Sequence, residues 1–359
     1  MKTVIGIIGC GTIANSAHIP SYMNNHDVEI KYFCDIKSDR AAKAVETYGV
    51  GQAVTDYTDV LNDPEVDAVS VCTPNYAHAE ITIAALEAGK HVLCEKPAAR
   101  TYNEARQMQI AKHKNGKILS IGVVNRFNDG VNHIKDLVQS GALGDVYHVY
   151  VSFRAHRSIP GIGGDFTRKS IAGGGALIDW GVHYLDIVMY CLGDPQAKTV
   201  SAEVFSKLGA DPKKYTYVNM WAEDSADFDG VYDVDDSMTA LVRTEGPVFT
   251  VHGAWAQNIG EEDRYIDFMG DKGGIRLYYG ADFTYYGAEE GKLVETKYSY
   301  PSHNMFQTEI DDFVRCIREG DENQATIDRN ILTSQMMQAM YDSAEAHREV
   351  TLEPHNMEA

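Results

Sequence analysis

Long apolar runs are missing from this chain. Nowhere in its 359 residues do about 20 apolar residues follow one another, the length a membrane-spanning helix needs, so no membrane partner is expected. Positive charge is short as well, with 32 Lys and Arg facing 52 Asp and Glu for a formal charge of −20. Such a field repels phosphate backbones and anionic lipid alike, which argues against nucleic acid as a partner. Cysteine is sparse. The six copies, at positions 10, 34, 72, 94, 191 and 316, include no C-x-x-C, and no His cluster stands at zinc spacing, so no metal site is expected. Those at 10, 34, 72 and 94 lie near the ends of apolar runs, where a reduced thiol serves as a small core residue. The apolar run from Val4 to Cys10, about seven residues before glycine and polar residues intervene, is a poor secretory signal. A cytoplasmic protein is expected.

What the chain has is length and alternation. With 44% hydrophobic residues it exceeds the size at which one core stops growing, so two domains are expected, divided here as 1–123 and 124–359 with the C-terminal helix free to pack back on the first. Val4 to Gly9 reads as a strand and runs into Gly9-Cys10-Gly11-Thr12-Ile13-Ala14, a G-x-G-x-x-A turn opening a helix-like segment that Pro20 interrupts. In a dinucleotide-binding turn the first glycine makes the bend, the second admits a pyrophosphate, and the small third residue lets the helix pack closely. Gly9, Gly11, Thr12 and Ile13 are thus cofactor candidates. The next strand, Val28 to Cys34, ends in Asp35, placed to accept hydrogen bonds from a ribose diol and to repel a 2′-phosphate. NAD is favoured over NADP, although Lys37 and Arg40 follow closely.

Strands and helices continue to alternate. Val66 to Cys72 ends in Thr73-Pro74-Asn75-Tyr76, at the carboxyl end where open α/β sheets hold ligands. Thr73, Asn75 and His78 are cofactor candidates there; the other reading makes Asn75 a helix cap. His91 to Cys94 ends in Glu95-Lys96-Pro97. Two charged residues at a buried strand end are costly without work to do, so Glu95 and Lys96 are candidates too. Thr101-x-x-Glu104 reads as a capping box, and Ile118 to Gly122 completes the sheet.

Beyond Gly122 the pattern changes to strand-like runs at Val146–Phe153, Val200–Ser206, Ser237–Thr244, Val248–Ala256, Arg264–Met269 and Gly274–Tyr279. With few helices between them they predict a largely antiparallel sheet covered on one face. The glycine-rich segment Ala155 to Ala172 is too long for a plain connector and reads as a cover over a site. Helices are expected over Asn304–Arg318 and Arg329–His347. Between these runs stands Gly173-Gly174-Gly175-Ala176-Leu177-Ile178-Asp179-Trp180-Gly181-Val182-His183-Tyr184-Leu185-Asp186. Its second half suits a helix with Asp179, His183 and Asp186 on one face. An Asp one turn before a His can orient the imidazole for acid/base work, whereas Asp186 reads as a structural partner.

The G-x-G-x-x-A turn, Glu95-Lys96-Pro97, and Gly173-Gly174-Gly175 with Asp179 and His183 together resemble the glucose-fructose oxidoreductase, inositol dehydrogenase and rhizopine-catabolism family, Gfo/Idh/MocA. The likeness spans essentially the whole chain. It implies an α/β fold, with an N-terminal Rossmann domain and a C-terminal α+β domain built on a large, mainly antiparallel open sheet. It also implies homodimers or homotetramers packed through that sheet, and Lys96, Asp179 and His183 around the reacting carbon. The three glycines would then let the backbone lie against the cofactor.

Oxidising a secondary alcohol needs an acid/base group and a charge stabiliser flanking one oxygen. An unperturbed histidine titrates near 6.5 and a lysine near 10.4, which favours His183 as acid/base group, with Asp179 orienting it and Lys96 polarising the oxygen. Asn125 is assigned to the nicotinamide carboxamide. Arg154, His156, Arg157 and Trp255 are candidates for substrate hydroxyls, each with a structural reading beside it. The expected activity is NAD-dependent oxidation of a ring hydroxyl of a sugar or glycoside, glucose-like and at C3. The alternatives are inositol (cyclitol) dehydrogenation, a glycoside hydrolase that oxidises transiently and retains NAD, and a non-catalytic NAD-binding protein. Intact Lys96, Asp179 and His183 argue against the last.

Overall fold

A computed structural model describes residues 2–260 and 262–356. They form two compact units, one made of the chain up to Phe127 with His303–Ile331, the other of Asn128–Ser302 and the chain from Leu332 on.

In the first unit six strands, β1 (Thr3–Ile8), β2 (Val28–Cys34), β3 (Gln52–Val54), β4 (Ala68–Val71), β5 (His91–Glu95) and β6 (Leu119–Gly122), lie in the order β3-β2-β1-β4-β5-β6. Every pairing is parallel. Parallel strands covered on both faces read as unbroken apolar runs, and β4, Ala-Val-Ser-Val, is buried at every position. The strand order reverses between β1 and β4, the switch point where open sheets leave a crevice beyond their carboxyl ends. The connecting helices end where the sequence provides for it. Thr101 Oγ1 accepts the Glu104 N–H at the start of Tyr102–Asn115, and Gly116 closes that helix in the left-handed region.

Two features depart from the sequence reading. Pro20 does not interrupt its helix. Ala14–His18 forms a π-helical turn and an α-helix continues over Ile19–Asn24; the wider turn closes on the Ile19 N–H, so the proline meets a register that does not ask for its missing N–H. The chain also returns. In helix Met305–Glu319, Ile310, Phe313 and Val314 pack with Ile5, Ile7 and Tyr22. Asp328 ties this return segment down: its carboxylate accepts Gln109 Nε2 (2.8 Å), meets His113 Nε2 (2.7 Å) and pairs with Lys112.

The second unit carries nine strands in the order β14-β13-β12-β11-β7-β10-β9-β8-β15. These are β7 (Val146–Arg154), β8 (Ala197–Phe205), β9 (Ser237–Thr244), β10 (Val248–Ala254), β11 (Asp263–Gly270), β12 (Gly273–Tyr278), β13 (Phe283–Glu289), β14 (Lys292–Tyr298) and β15 (Val350–Thr351). The sheet is antiparallel except where β10 runs parallel to β7. One face is apolar, with Val149, Val151, Phe153, Phe249, Val251, Ile266 and Phe268 all buried. The hairpin β13–β14, which no expected strand covered, explains the tyrosines of that region. Phe283 and Tyr298 face each other across the ladder with ring centroids 4.7 Å apart. Among the described residues no helix is long and apolar enough to cross a membrane.

Asp328→Asn is expected to destabilise the first unit by about 3 kcal/mol, because it leaves the largely buried Lys112 ammonium without its counter-charge. Burial opposes ionisation of Asp328, but bonds from Lys112, Gln109 and His113 outweigh it and hold its pKa below the usual range. The stabilisation is therefore complete above the unfolded carboxylate pKa of about 3.9 and fades as pH falls through the lower folded value. Urea melts of both proteins at pH 7 and pH 3 should show the difference shrinking with acid, and an undiminished gap at pH 3 would refute this account.

Candidate active site

The first unit supplies a dinucleotide cradle. β1 ends at Ile8, and Gly9 turns the chain with φ of +94°, where a Cβ would stand 2.6 Å from the Cys72 carbonyl oxygen. Only glycine fits so tight and left-handed a turn. At Gly11 the opposite holds: among the described residues no atom lies within 4 Å of where its Cβ would be. Thr12 is exposed and Ile13 half-buried at the helix start. Asp35, at the end of β2, is buried and held rigid, its two carboxylate oxygens accepting the N–H groups of Cys10 (2.9 Å) and Lys37 (2.8 Å).

At the end of β4, Thr73 Oγ1 is buried with no hydrogen-bond partner among the described residues. Asn75 opens a 3₁₀ turn, where the cap position belongs to Pro74. His78 does not reach outward. Its ring lies between the carbonyl oxygens of Pro97 and Thr73, each 2.8 Å from a ring nitrogen. Burial pushes its pKa below that of a free imidazole, and both ring nitrogens are turned toward backbone carbonyls. Asn125 is buried in the 3₁₀ turn Val124–Phe127. At the end of β5, Glu95 is buried and accepts the Lys96 N–H (3.0 Å), and the Lys96–Pro97 bond is cis. An open approach at Gly11, a fixed carboxylate at Asp35 and an orphaned hydroxyl at Thr73 fit NAD, which these residues would hold by its pyrophosphate and ribose.

The second unit carries Asp179 and His183. Leu177–Gly181 forms a π-helical turn leading into helix Val182–Leu192. Such turns recur at functional sites. Asp179 sits on the turn, largely buried, and its Oδ2 accepts the indole N–H of Trp255 at 3.2 Å. His183 follows at half exposure and Asp186 is buried. Two of the glycines have a reason within their own unit. A Cβ on Gly174 would stand 2.1 Å from the Tyr341 hydroxyl and one on Gly175 would stand 1.9 Å from the Asp235 carbonyl oxygen. The bulky neighbours they admit belong to their own unit.

Asp235 was invisible as a site residue. Its buried carboxylate accepts the N–H groups of Gly175 (2.7 Å) and Leu177 (2.9 Å) and the Tyr341 hydroxyl (2.9 Å), anchoring the start of the Asp179 turn. Burial nonetheless raises its pKa. Asp236 gathers the Lys207, Leu208 and Gly209 amides, and its carbonyl accepts the Trp255 N–H at 2.9 Å. The one sequence hint was the run Asp233-Val234-Asp235-Asp236 before a strand.

The four weaker candidates are all engaged within the unit. Trp255 is fully buried with Ile159, Ile162 and Tyr215, so it can act only through Asp179. Arg154 pairs with Asp263, His156 Nδ1 meets the Gln257 carbonyl (3.0 Å), and Arg157 reaches Asn258 Oδ1 (2.8 Å). The segment Ala155 to Ala172 is no loose cover, since Ile159 and Ile162 are core residues. Among the described residues no group of three His, Cys, Asp or Glu could hold a metal.

Two family profiles match the chain: the oxidoreductase family, NAD-binding Rossmann fold, over residues 3–123, and the GFO/IDH/MocA C-terminal domain over 131–276. The D-glucoside 3-dehydrogenase of Escherichia coli (strain K12) is 33% identical over 350 residues, 97% of each chain. This chain belongs to the Gfo/Idh/MocA family of oxidoreductases. Another relative, the levoglucosan dehydrogenase of Pseudarthrobacter phenanthrenivorans, is 30% identical over 262 residues, 69% of this chain and 65% of that one. The solved levoglucosan dehydrogenase in complex with NADH and levoglucosan shares the fold, with a TM-score of 0.83 at 22% identity over 98% and 99% of the two chains.

Trp255→Phe keeps most of the buried ring and removes the hydrogen bond to Asp179. Hydrogen bonds to charged groups contribute about 1.5–3 kcal/mol, so turnover should fall at least about tenfold while the melting temperature moves little. Steady-state kinetics beside a thermal melt would test this; unchanged turnover would exclude Trp255 as the residue that positions Asp179.

Proposed function

We propose that this chain is an NAD-dependent dehydrogenase that oxidises a secondary ring hydroxyl of a glucose-like sugar or glycoside, at C3, to the ketone. The observation that carries the substrate class is the near full-length likeness to a D-glucoside 3-dehydrogenase. NAD, when bound, supplies the hydride acceptor. In this reading His183 takes the hydroxyl proton as the C–H hydride departs, so that oxygen and carbon close into C=O. Asp179, fixed by Trp255, orients the imidazole and stabilises it once protonated. Lys96 polarises the same oxygen and offsets its developing negative charge. Asp35 gives preference to NAD through the repulsion of a 2′-phosphate.

The reading extends to setting. All six cysteines are buried free thiols, which suits a reducing, cytoplasmic compartment. On the sheet face opposite the apolar one, Tyr150 stacks on Tyr265 and Arg276 lies over the Tyr265 ring. Such a face of aromatics and arginine suits association with a second copy, and we assign the protein as a homodimer or homotetramer through it.

The test is NADH formation against a panel of glucosides, free sugars and inositols, with NAD and NADP run side by side. Glucosides with NAD should lead; inositol alone, or no NADH with cofactor retained on the purified protein, would overturn the assignment. His183→Ala should lower kcat by about 10²–10⁴, the range of acid/base catalysis. Full turnover in that variant with loss in Lys96→Met would exchange the two roles.

A further inference from the structure

Behind Lys96 lies a buried group that the proposed chemistry does not use. His18 stands at the end of the π-helical turn that follows Gly9 and Gly11, and it is fully enclosed. Its Nε2 meets Glu95 Oε1 at 2.8 Å and its Nδ1 meets Ser70 Oγ at 2.8 Å, while Ser70 Oγ also lies 3.2 Å from the Tyr22 hydroxyl. The other oxygen of Glu95 accepts the backbone N–H of Lys96 at 3.0 Å. Gly122, on β6, closes over this carboxylate; a Cβ there would come within 3.1 Å of it. One chain of bonds thus runs from the dinucleotide turn, through His18 and Glu95, to the backbone of Lys96.

We propose that His18 and Glu95 form a charge-balanced pair that positions Lys96 and shields its ammonium from an uncompensated carboxylate. This rests on the reading of Lys96 as the polarising group. A lone buried carboxylate beside Lys96 would draw on the charge that the lysine lends to the substrate oxygen; a lone imidazolium would push the lysine toward its neutral form. The paired state avoids both. The groups facing the pair leave it to balance itself. Cys72 beyond β4, Cys94 on β5 and Tyr22 on the adjoining helix are all held neutral as burial raises them, Cys94 to about 12. His78, across β5, is pushed toward its neutral form. Lys96 and Glu309, which acts on Tyr22, are the remaining charged neighbours. Burial opposes a charge on His18, but its bonds to Cys72 and Glu95 and the charge of Glu95 outweigh it and hold the imidazole well above its ordinary value. Burial likewise opposes ionisation of Glu95, and His18 and Lys96 outweigh that too.

The experiment is a double-mutant cycle on the full-length enzyme, with kcat followed across pH on the best glucoside of the panel. His18→Gln keeps a donor toward Glu95 and removes the charge; Glu95→Gln keeps an acceptor for the Lys96 N–H and removes the opposite charge. Each should lower kcat at least about tenfold. The alkaline limb assigned to Lys96 should move up by about one pH unit in His18→Gln, which leaves the carboxylate alone, and stay near its place in Glu95→Gln, where burial leaves the imidazole uncharged. The double variant should return the limb to its original place, an interaction that simple loss of packing would not produce. Limbs that stay put in both single variants, or move in the same direction, overturn the proposal. If a single variant fails to fold, the neutral double variant decides alone, and a displaced limb there overturns it. Lys96→Met serves as the control on the reading beneath: full turnover in that variant means the role of Lys96 was misassigned, whereas lost turnover with unmoved limbs means the pair has no part in it.

Discussion

The Asp235 carboxylate, buried and filled by two backbone amides and a tyrosine hydroxyl, is the contact on which the Asp179 turn of the second unit depends. A buried charge is tolerable only when its lone pairs are satisfied, and here the satisfying donors are the amides at the start of the Asp179 turn. A helix start leaves N–H groups without intrahelical partners; Asp235 supplies the partner, and Tyr341 closes the remaining side. The same solution recurs wherever irregular backbone must be held. Asp35 fixes the dinucleotide turn, Asp236 gathers the Lys207–Gly209 amides, and Glu95 holds the Lys96 amide. In a chain with so large an acidic excess, a share of the carboxylates works as interior fastening rather than surface charge.

Each unit also carries a π-helical turn beside its candidate site residues, Ala14–His18 in one and Leu177–Gly181 in the other. A π turn bonds poorly and persists only where its surroundings compensate. In the first unit the compensation includes His18, locked between Ser70 and Glu95; in the second it includes Asp179, bonded to Trp255.

The parts of the fold that were legible in the sequence are those with a local signature. Ser237–Thr244 was read to the residue because β-branched and apolar side chains alternate along it, and Gly9, Gly11 and Asp35 were legible because each step of the motif has a fixed geometric duty. The hairpin β13–β14 escaped, since its exposed positions weaken the alternation. Pro20 misled for the opposite reason: a strong local rule was overridden by a change of helical register that no residue type announces.

The sequence by itself determined the dinucleotide turn with the acid that ends the next strand, and marked Lys96, Asp179 and His183 as candidates, because each rests on a local pattern of residues. Tertiary structure alone decided what holds them. His18 finds Glu95 77 residues away, Asp179 finds Trp255 76 residues away, and Tyr341 finds Asp235 across 106. A hydrogen bond depends on distance and angle in space, and along the chain those partners are separated by whole elements. Gly174 and Gly175 show the difference best. The sequence required something bulky beside them, and only the folded chain showed that it was Tyr341 and Asp235, packed against the helix they anchor.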